Sequence, residues 1–357
     1  MCLFEPRKNL FVRGITLSPE GLHQQETSRR RTIIALLGLN CLVRAGVAQP
    51  FDLASMRDAV LADTSWVSGI GDLGLLAWFT AEFAPERLLG LFNKFEFDKA
   101  IDFYSDGQEA RTKGLAWFLA GISHAHLASI GNVPDLTDVA VDGYRSLLEN
   151  QAESGIFGRA AFARLVRRAY CKRFGTFSDQ IHAIYALATF AKAFEIEEPL
   201  DSALSCANSV RALQGDLGEW WFLYDKQACR VARRYPVCSR HQDGTGPLVL
   251  LALGELTGHS FHKSIYKGLS WISGVNALGN DLRVLDRGLI WDSIGTRRKT
   301  TDYWGVALSL LNRFRRHREE QLSIHFEARP DHYGWLLLAF GRLGLPNTTA
   351  KTATKGL

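Results

Sequence analysis

Between Glu219 and Asp243 the chain gathers Trp220, Trp221, Tyr224, Asp225, Arg233, Arg234, Tyr235, His241 and Asp243. His241 sits two residues before Asp243, which sets a group that titrates near neutrality beside a carboxylate, the smallest kit for general acid–base work. His241, Asp243 and Asp225 are therefore the catalytic candidates. Trp220, Trp221 and Tyr224 present flat faces that suit a sugar ring or an isoprenoid cation, and Arg233 and Arg234 supply charge for an anion. Each has a plainer use: the aromatics as core filling, and Asp243 as the N-cap of a helix that begins near Thr245.

Similar groups open other helical segments. Asp179, Gln180 and His182 open one, Asp302, Tyr303 and Trp304 another, and Arg329, Asp331, His332, Tyr333 and Trp335 the last. Two carboxylates at one end of a fold suit glycosidic chemistry, where one protonates and the other activates. A His or Tyr there suits proton abstraction beside a uronate carboxylate. The substrate-binding candidates are Trp220, Trp221, Tyr224, Arg233, Arg234, Asp179, His182, Asp302, Trp304, Asp331 and His332.

No metal or cofactor is expected. Asp225, Cys229, Cys238 and His241 are zinc-type donors, but no Cys-x-x-Cys pair supports a site. His124 and His126 are two apart and fall on nearly opposite faces of a helix. Gly69-Ile70-Gly71 and Gly244-Thr245-Gly246 lack the lysine and strand context of a phosphate loop.

These residues need elements to hold them. Periodicity and stop signals predict helices over 30–45, 52–62, 70–81, 85–93, 109–128, 135–150, 178–194, 200–213, 245–257, 260–273, 300–316 and 330–342. No strand-rich segment dominates and no βαβ pattern occurs, so the fold class reads as all-α. Short and long connections alternate, as in helical hairpins strung on long loops. Two of those loops share a spacing: Gln151, Gly155 and Phe157 recur 63 residues later as Gln214, Gly218 and Trp220. Such a period points to stacked or ring-closed units.

The segments Gln151 to Phe157 and Gln214 to Trp220 resemble the Gln…Gly…Trp repeats of terpenoid cyclase and protein prenyltransferase toroids. The hairpin number is similar to that of the six-hairpin toroids of carbohydrate epimerases, glucuronyl hydrolases and polysaccharide lyases. The resemblance implies an α/α toroid of about six hairpins over 28–345, with its long loops and cavity at one end. An irregular arm (1–27) precedes it and a disordered tail (346–357) follows. The cyclase motifs Asp-x-Asp-Asp and Asp-Asp-x-x-Asp do not occur.

Composition agrees with an enzyme of this kind. The chain has 357 residues, 46% hydrophobic and 22% charged, which excludes a disordered or collagen-like protein. A net charge of +5 suits an anionic small molecule or oligosaccharide and is too diffuse for a nucleic-acid partner. The runs Arg29–Arg31 and Arg313–Arg318 read as solvated helix faces, whereas Arg233, Arg234, Arg297 and Arg298 are expected at the cavity rim. Six scattered cysteines read as reduced thiols of a cytoplasmic protein. The apolar run Ile33 to Val43 is too short to cross a bilayer and lies too far into the chain for a leader, so it reads as a buried helix. The expected function is acid–base chemistry on an anionic carbohydrate: elimination, epimerisation or hydrolysis. A terpenoid-cyclase-like enzyme on a prenyl diphosphate and a non-catalytic binding toroid are the alternatives.

Overall fold

A computed structural model of the chain describes residues 3–101, 112–128, 135–159, 171–296 and 321–341. In chain order its helices include α1 (Arg29–Arg44), α2 (Leu53–Leu61), α3 (Ile70–Phe83), α4 (Leu88–Phe95), α5 (Thr112–Ala128) and α6 (Thr137–Leu148). They continue with α7 (Phe177–Phe194), α8 (Glu198–Ala212), α9 (Gly246–Thr257), α10 (His262–Ile272) and α11 (Pro330–Phe340). These match the predicted spans closely; the predicted helix over 300–316 lies outside the described residues.

The odd-numbered helices form a ring. Each packs on the next, and α11 packs back on α1. The even-numbered helices lie outside, with α6 against α5 and α7, and α8 against α7 and α9. Sequence pattern explains the two layers. An outer helix needs one apolar stripe, and α6 buries Ala140, Gly143, Tyr144 and Leu147 at helical spacing. A ring helix has neighbours on all sides, and α3 buries every residue from Ile70 to Ala81. Two seams of the ring close on glycine. A Cβ on Gly74 would overlap the backbone of Trp117 and Phe118, and one on Gly334 would overlap that of Ile34. Five inner–outer hairpins are seen among the described residues, so the expected six are not all seen.

The all-α expectation needs correction, because small sheets collect around the starts of ring helices. β3 (Ile15–Ser18) pairs with β4 (Gly21–Gln24) and with β13 (Glu327–Ala328), the strand that leads into α11. β5 (Phe174–Thr176), which leads into α7, pairs with β6 (Leu223–Asp225), and β6 with β7 (Arg230–Arg233). β11 (Ser293–Thr296) joins β8 (Val237–Cys238) to β12 (Leu322–His325). Two hairpins complete the set, β1 (Phe4–Glu5) with β2 (Leu10–Phe11) and β9 (Arg283–Val284) with β10 (Leu289–Ile290). Strands of two to four residues are too short to leave an alternation in the sequence. The N-terminal arm, expected to be irregular, thus carries four of them and is stitched to the far end of the chain through β13.

The 63-residue spacing is a repeat of hydrogen bonds. Gln151 donates to the carbonyls of Gly155 (3.0 Å) and Ser202 (2.9 Å), and Gln214 to those of Gly218 (3.0 Å) and Ser264 (3.0 Å). Gly155 (φ +80°) and Gly218 (φ +102°) make the left-handed turns these loops need. A second clamp comes from the next ring helix. Gln180 accepts from Phe157 N–H (2.7 Å) and donates to its carbonyl (2.8 Å). Gln242, with its amide oriented to satisfy both ends, accepts from Trp220 N–H (3.1 Å) and donates to Gly218 O (2.9 Å). The poorly matching third copy near Leu278–Asn280 uses a different device, Asn276 bonded to the carbonyls of Trp271 (2.8 Å) and Asn280 (2.7 Å).

If glycine contact sets the α3–α5 spacing, Gly74→Ala and Gly121→Ala should each destabilise the fold by about 1–3 kcal/mol or more, read as a lower urea midpoint. Gly90, whose added Cβ meets nothing within 4 Å, is the control and should leave the midpoint unchanged or slightly raised when changed to Ala.

Candidate functional site

The starts of the ring helices carry a linked polar layer. Ser28 caps α1, accepting from Arg31 N–H at 3.4 Å. The turn behind it sends Arg30 to Asp72 on α3, and Arg31 to Asp331 on α11 at 2.6 Å. Asp72 is further held by the N–H (3.1 Å) and hydroxyl (3.0 Å) of Ser68. Next to Asp331, His332 Nε2 meets Asp243 Oδ1 at 2.6 Å with both side chains buried. Asp243 lies in a π-helical turn, His241–Thr245, that runs into α9; such turns insert an extra residue and recur at functional sites. Just before it, Arg240 binds Asp292 at 2.5 Å, and Asp292 also takes Arg329 at 3.5 Å. Burial alone would raise the Asp292 carboxyl, but Arg240 and Arg329 outweigh it and hold it below its usual range.

Beneath this layer the axis of the ring is filled with aromatic rings. Trp117 on α5 lies 5.0 Å from His182 on α7 and 5.5 Å from Trp335 on α11, centroid to centroid. Deeper, Trp78 stacks on His124 at 4.3 Å with ring planes 4° apart, and His124 Nε2 meets the Tyr185 hydroxyl at 3.0 Å. The gap left among these rings is about 10 Å³, room for roughly one water. Among the described residues the axis is thus filled by an aromatic floor, and the polar side chains stand above it.

Three histidines are kept neutral here. His182 Nδ1 lies 2.6 Å from Ser178 O; a carbonyl only accepts, so Nδ1 carries the hydrogen and Nε2 is left as an acceptor. Burial, then the charge of Lys113, push His182 down to about 3. Burial does the same to His124, also to about 3. His241, its ring 5.3 Å from that of Phe177, is driven well below its ordinary value by burial and then by Arg240.

The structure brings together only part of the sequence-predicted set. His241, Asp243, His182, Asp331 and His332 share the layer or its floor. Asp243 does not cap α9; it holds His332. Asp331 holds Arg31, and Arg329, with no side-chain cap bond, occupies the cap position of α11. Asp179 has the plainer use, a capping box in which Thr176 N–H donates to it at 2.8 Å; the cap is therefore Thr176, two residues before Ser178. Asp225 is fully buried with Arg173 forked on it at 2.6–3.0 Å, plus the N–H groups of Gln227 and Ala228. Those contacts place it in the β5–β6–β7 corner, away from His241. Trp220 stacks on Phe177 at 5.1 Å as core, and Tyr224 is completely buried. Arg234 covers Trp221 and Arg233 covers Phe222. Asp302, Trp304, Arg297 and Arg298 lie outside the described residues. Among those described, no three His, Cys, Asp or Glu side chains gather as metal ligands, and no helix is long and apolar enough to cross a membrane.

Sequence reasoning missed Lys113, Arg240 and the Arg30–Arg31 pair. By composition the arginine run reads as a solvated face, yet Ser28 as a cap places it in the first turn of α1, where Arg30 and Arg31 reach the neighbouring helix starts. Lys113 had one available signal, its spacing of four from Trp117.

No protein-family model matches the chain, and no curated protein matches its sequence. Solved structures do match in shape. A sugar epimerase from a ruminal bacterium superposes with TM-score 0.64, covering 94% of this chain and 93% of its own at 8% identity. The cellobiose 2-epimerase of Bacillus thermoamylovorans gives 0.61, with 95% and 93% covered at 10% identity. An unsaturated glucuronyl hydrolase specific for heparin gives 0.55, with 94% and 92% covered at 10% identity. The likeness to α/α-toroid carbohydrate enzymes therefore holds at the level of fold.

The neutral histidines fix a pH dependence. With folded values near 3 against about 6.5 when unfolded, His124 and His182 bind protons more readily in the unfolded chain between those limits. Their contribution to stability is complete above about 6.5 and is lost as pH falls toward 3. Urea midpoints should decline over that window, and His124→Gln or His182→Gln should each flatten the decline, by up to one proton. An unchanged slope in both variants would show that neither ring is held neutral.

Proposed function

We propose that this protein moves protons on a carbohydrate, with epimerisation of an anionic sugar as the leading reaction. The observation that carries the reading is the buried His332–Asp243 pair, set beside neutral His241 at the mouth of the ring. Epimerisation needs a base to take a proton from carbon next to a carbonyl or carboxylate, and a donor to return one to the opposite face. A histidine oriented by a carboxylate and a second histidine on an adjoining element supply those two roles. In this reading Asp243 fixes the tautomer of His332, while His241 and His332 exchange protons with the substrate. Trp117, the more exposed ring of the floor, is the surface on which a sugar rests.

Hydrolysis by two carboxylates has less support. Asp72, Asp331, Asp292 and Asp179 are each engaged by a cation or a cap, and Asp243 by His332. The superposed epimerases lend weight to the first reading as a likeness of fold, which alone does not license an activity. An isoprenoid substrate is disfavoured because the space among the aromatic rings is about 10 Å³. That same filled axis favours one alternative, a non-catalytic toroid that binds a ligand at its mouth.

The test is exchange of substrate hydrogen with deuterated water over a panel of aldoses and uronates, read by NMR. Wild type should incorporate deuterium at one carbon, and His332→Gln, Asp243→Asn and His241→Ala should each slow it by roughly 10²–10⁴-fold. Asp243→Asn keeps the shape and an oxygen that can accept from His332 Nε2–H, and circular dichroism of the variant separates lost turnover from lost structure. Binding of a sugar without exchange would move the assignment to the non-catalytic toroid.

A further inference from the structure

The geometry points to Lys113 as the receptor for a negatively charged substituent, carboxylate or phosphate, on the ligand held at the mouth of the ring. The inference rests on the ring mouth being the ligand site, as in the reading above, and names the group that selects the ligand there.

Position comes first. Lys113 lies one residue into the described span of α5, where Thr112 N–H donates to Arg159 O at 2.9 Å. Trp117 lies one helical turn further on and belongs to the aromatic floor, so Lys113 shares its face. A helical side chain leans toward the helix N-terminus, which carries the ammonium above the floor. The charged groups that act on it are Arg240 before α9, Arg30 on α1, Asp179 on α7 and Asp331 on α11. It acts in turn on His182 and His241. It therefore stands among the elements that surround the proposed proton-transfer groups.

Pairing comes second. Arg30, Arg31, Arg240 and Arg329 each hold a carboxylate: Asp72, Asp331, Asp292 and Glu327. Among the described residues, Lys113 is the one cation of this layer with no ion pair or hydrogen bond. Its side chain is exposed to solvent. An ammonium without a protein acceptor is available to an anion that enters with the ligand.

The surroundings also tune it. Crowding by protein, then Arg240 and Arg30, push the Lys113 ammonium down to about 8. The charged form that attracts an anion is complete below that value and is lost above it. Arg233 and Arg234, expected at the rim, instead lie over loop aromatics and do not share this layer by any of those contacts.

Calorimetric titration with glucuronate, glucose 6-phosphate and glucose tests the inference and separates carboxylate from phosphate as the preferred group. Wild type should bind one of the two anions more tightly than glucose. Lys113→Gln should lose roughly tenfold or more of that affinity without changing the weaker affinity for glucose, and Lys113→Arg should largely restore it. Affinity of wild type for the anion should fall as pH rises through about 8, while that of Lys113→Arg should not. Equal affinity for the anion in wild type and Lys113→Gln, no preference for either anion over glucose, or no binding of either anion would overturn the assignment. Failure of the function above is read separately. Lys113-dependent anion binding without deuterium exchange leaves this inference standing and removes the catalytic one. Exchange on neutral sugars that is indifferent to Lys113→Gln does the reverse.

Discussion

Closure of the ring between its first and last helices is the constraint on which the other features depend. Arg31 on α1 and Asp331 on α11 are 300 positions apart and meet at 2.6 Å. One to two turns further along, Gly38 and Gly334 let the two backbones touch. Neither contact is local, so each closes a loop of most of the chain against its conformational entropy. The next residue after Asp331 is His332, and its register on Asp243 follows directly from that ion pair. The layer of arginines and carboxylates at the mouth is thus a fastening as well as a chemical surface. An open arrangement of the same hairpins would leave His332 with no carboxylate and Arg31 half-buried with no counter-ion, which is costly.

Closing a ring of six helices also creates an axis that must be filled. Trp78, Trp117, His124, His182, Tyr185 and Trp335 fill it. Interiors tolerate few voids, so this plug is part of the stability of the fold. It also sets the depth to which any ligand penetrates. The histidines in the plug are neutral because water is excluded, and His241 at its upper edge is buried as well. One packing requirement therefore determines both the shape and the electrostatics of the site.

Much of the ring was legible in the sequence because its helices carry local signals. The apolar stripe of α6, the Pro199 start of α8 and the Gly258 stop of α9 can each be read from a window of a few residues. The short strands could not, since two to four residues hold no period. Site residues were legible when they opened a predicted helix, as Asp331 and His332 do. What each one binds was not: Asp225 looked reactive for its aromatic company, yet Arg173, 52 positions away, had already claimed it. Asp243 looked like a cap because caps are local, whereas its partner His332 is 89 positions off. Lys113 offered only its spacing of four from Trp117, which many helix positions beside a core face share.

The paired glutamine clamps have a consequence for how such a chain ages. Gln151, Gln214, Gln180 and Gln242 bind main-chain groups of the loops they brace, and main-chain groups are the same whatever side chain the loop residue bears. Phenylalanine at 157 and tryptophan at 220 occupy equivalent clamps for that reason. A scaffold fastened in this way accepts exchange of one buried apolar ring for another at the clamped residue. Such exchanges alter the letters of a loop while the path of its backbone persists.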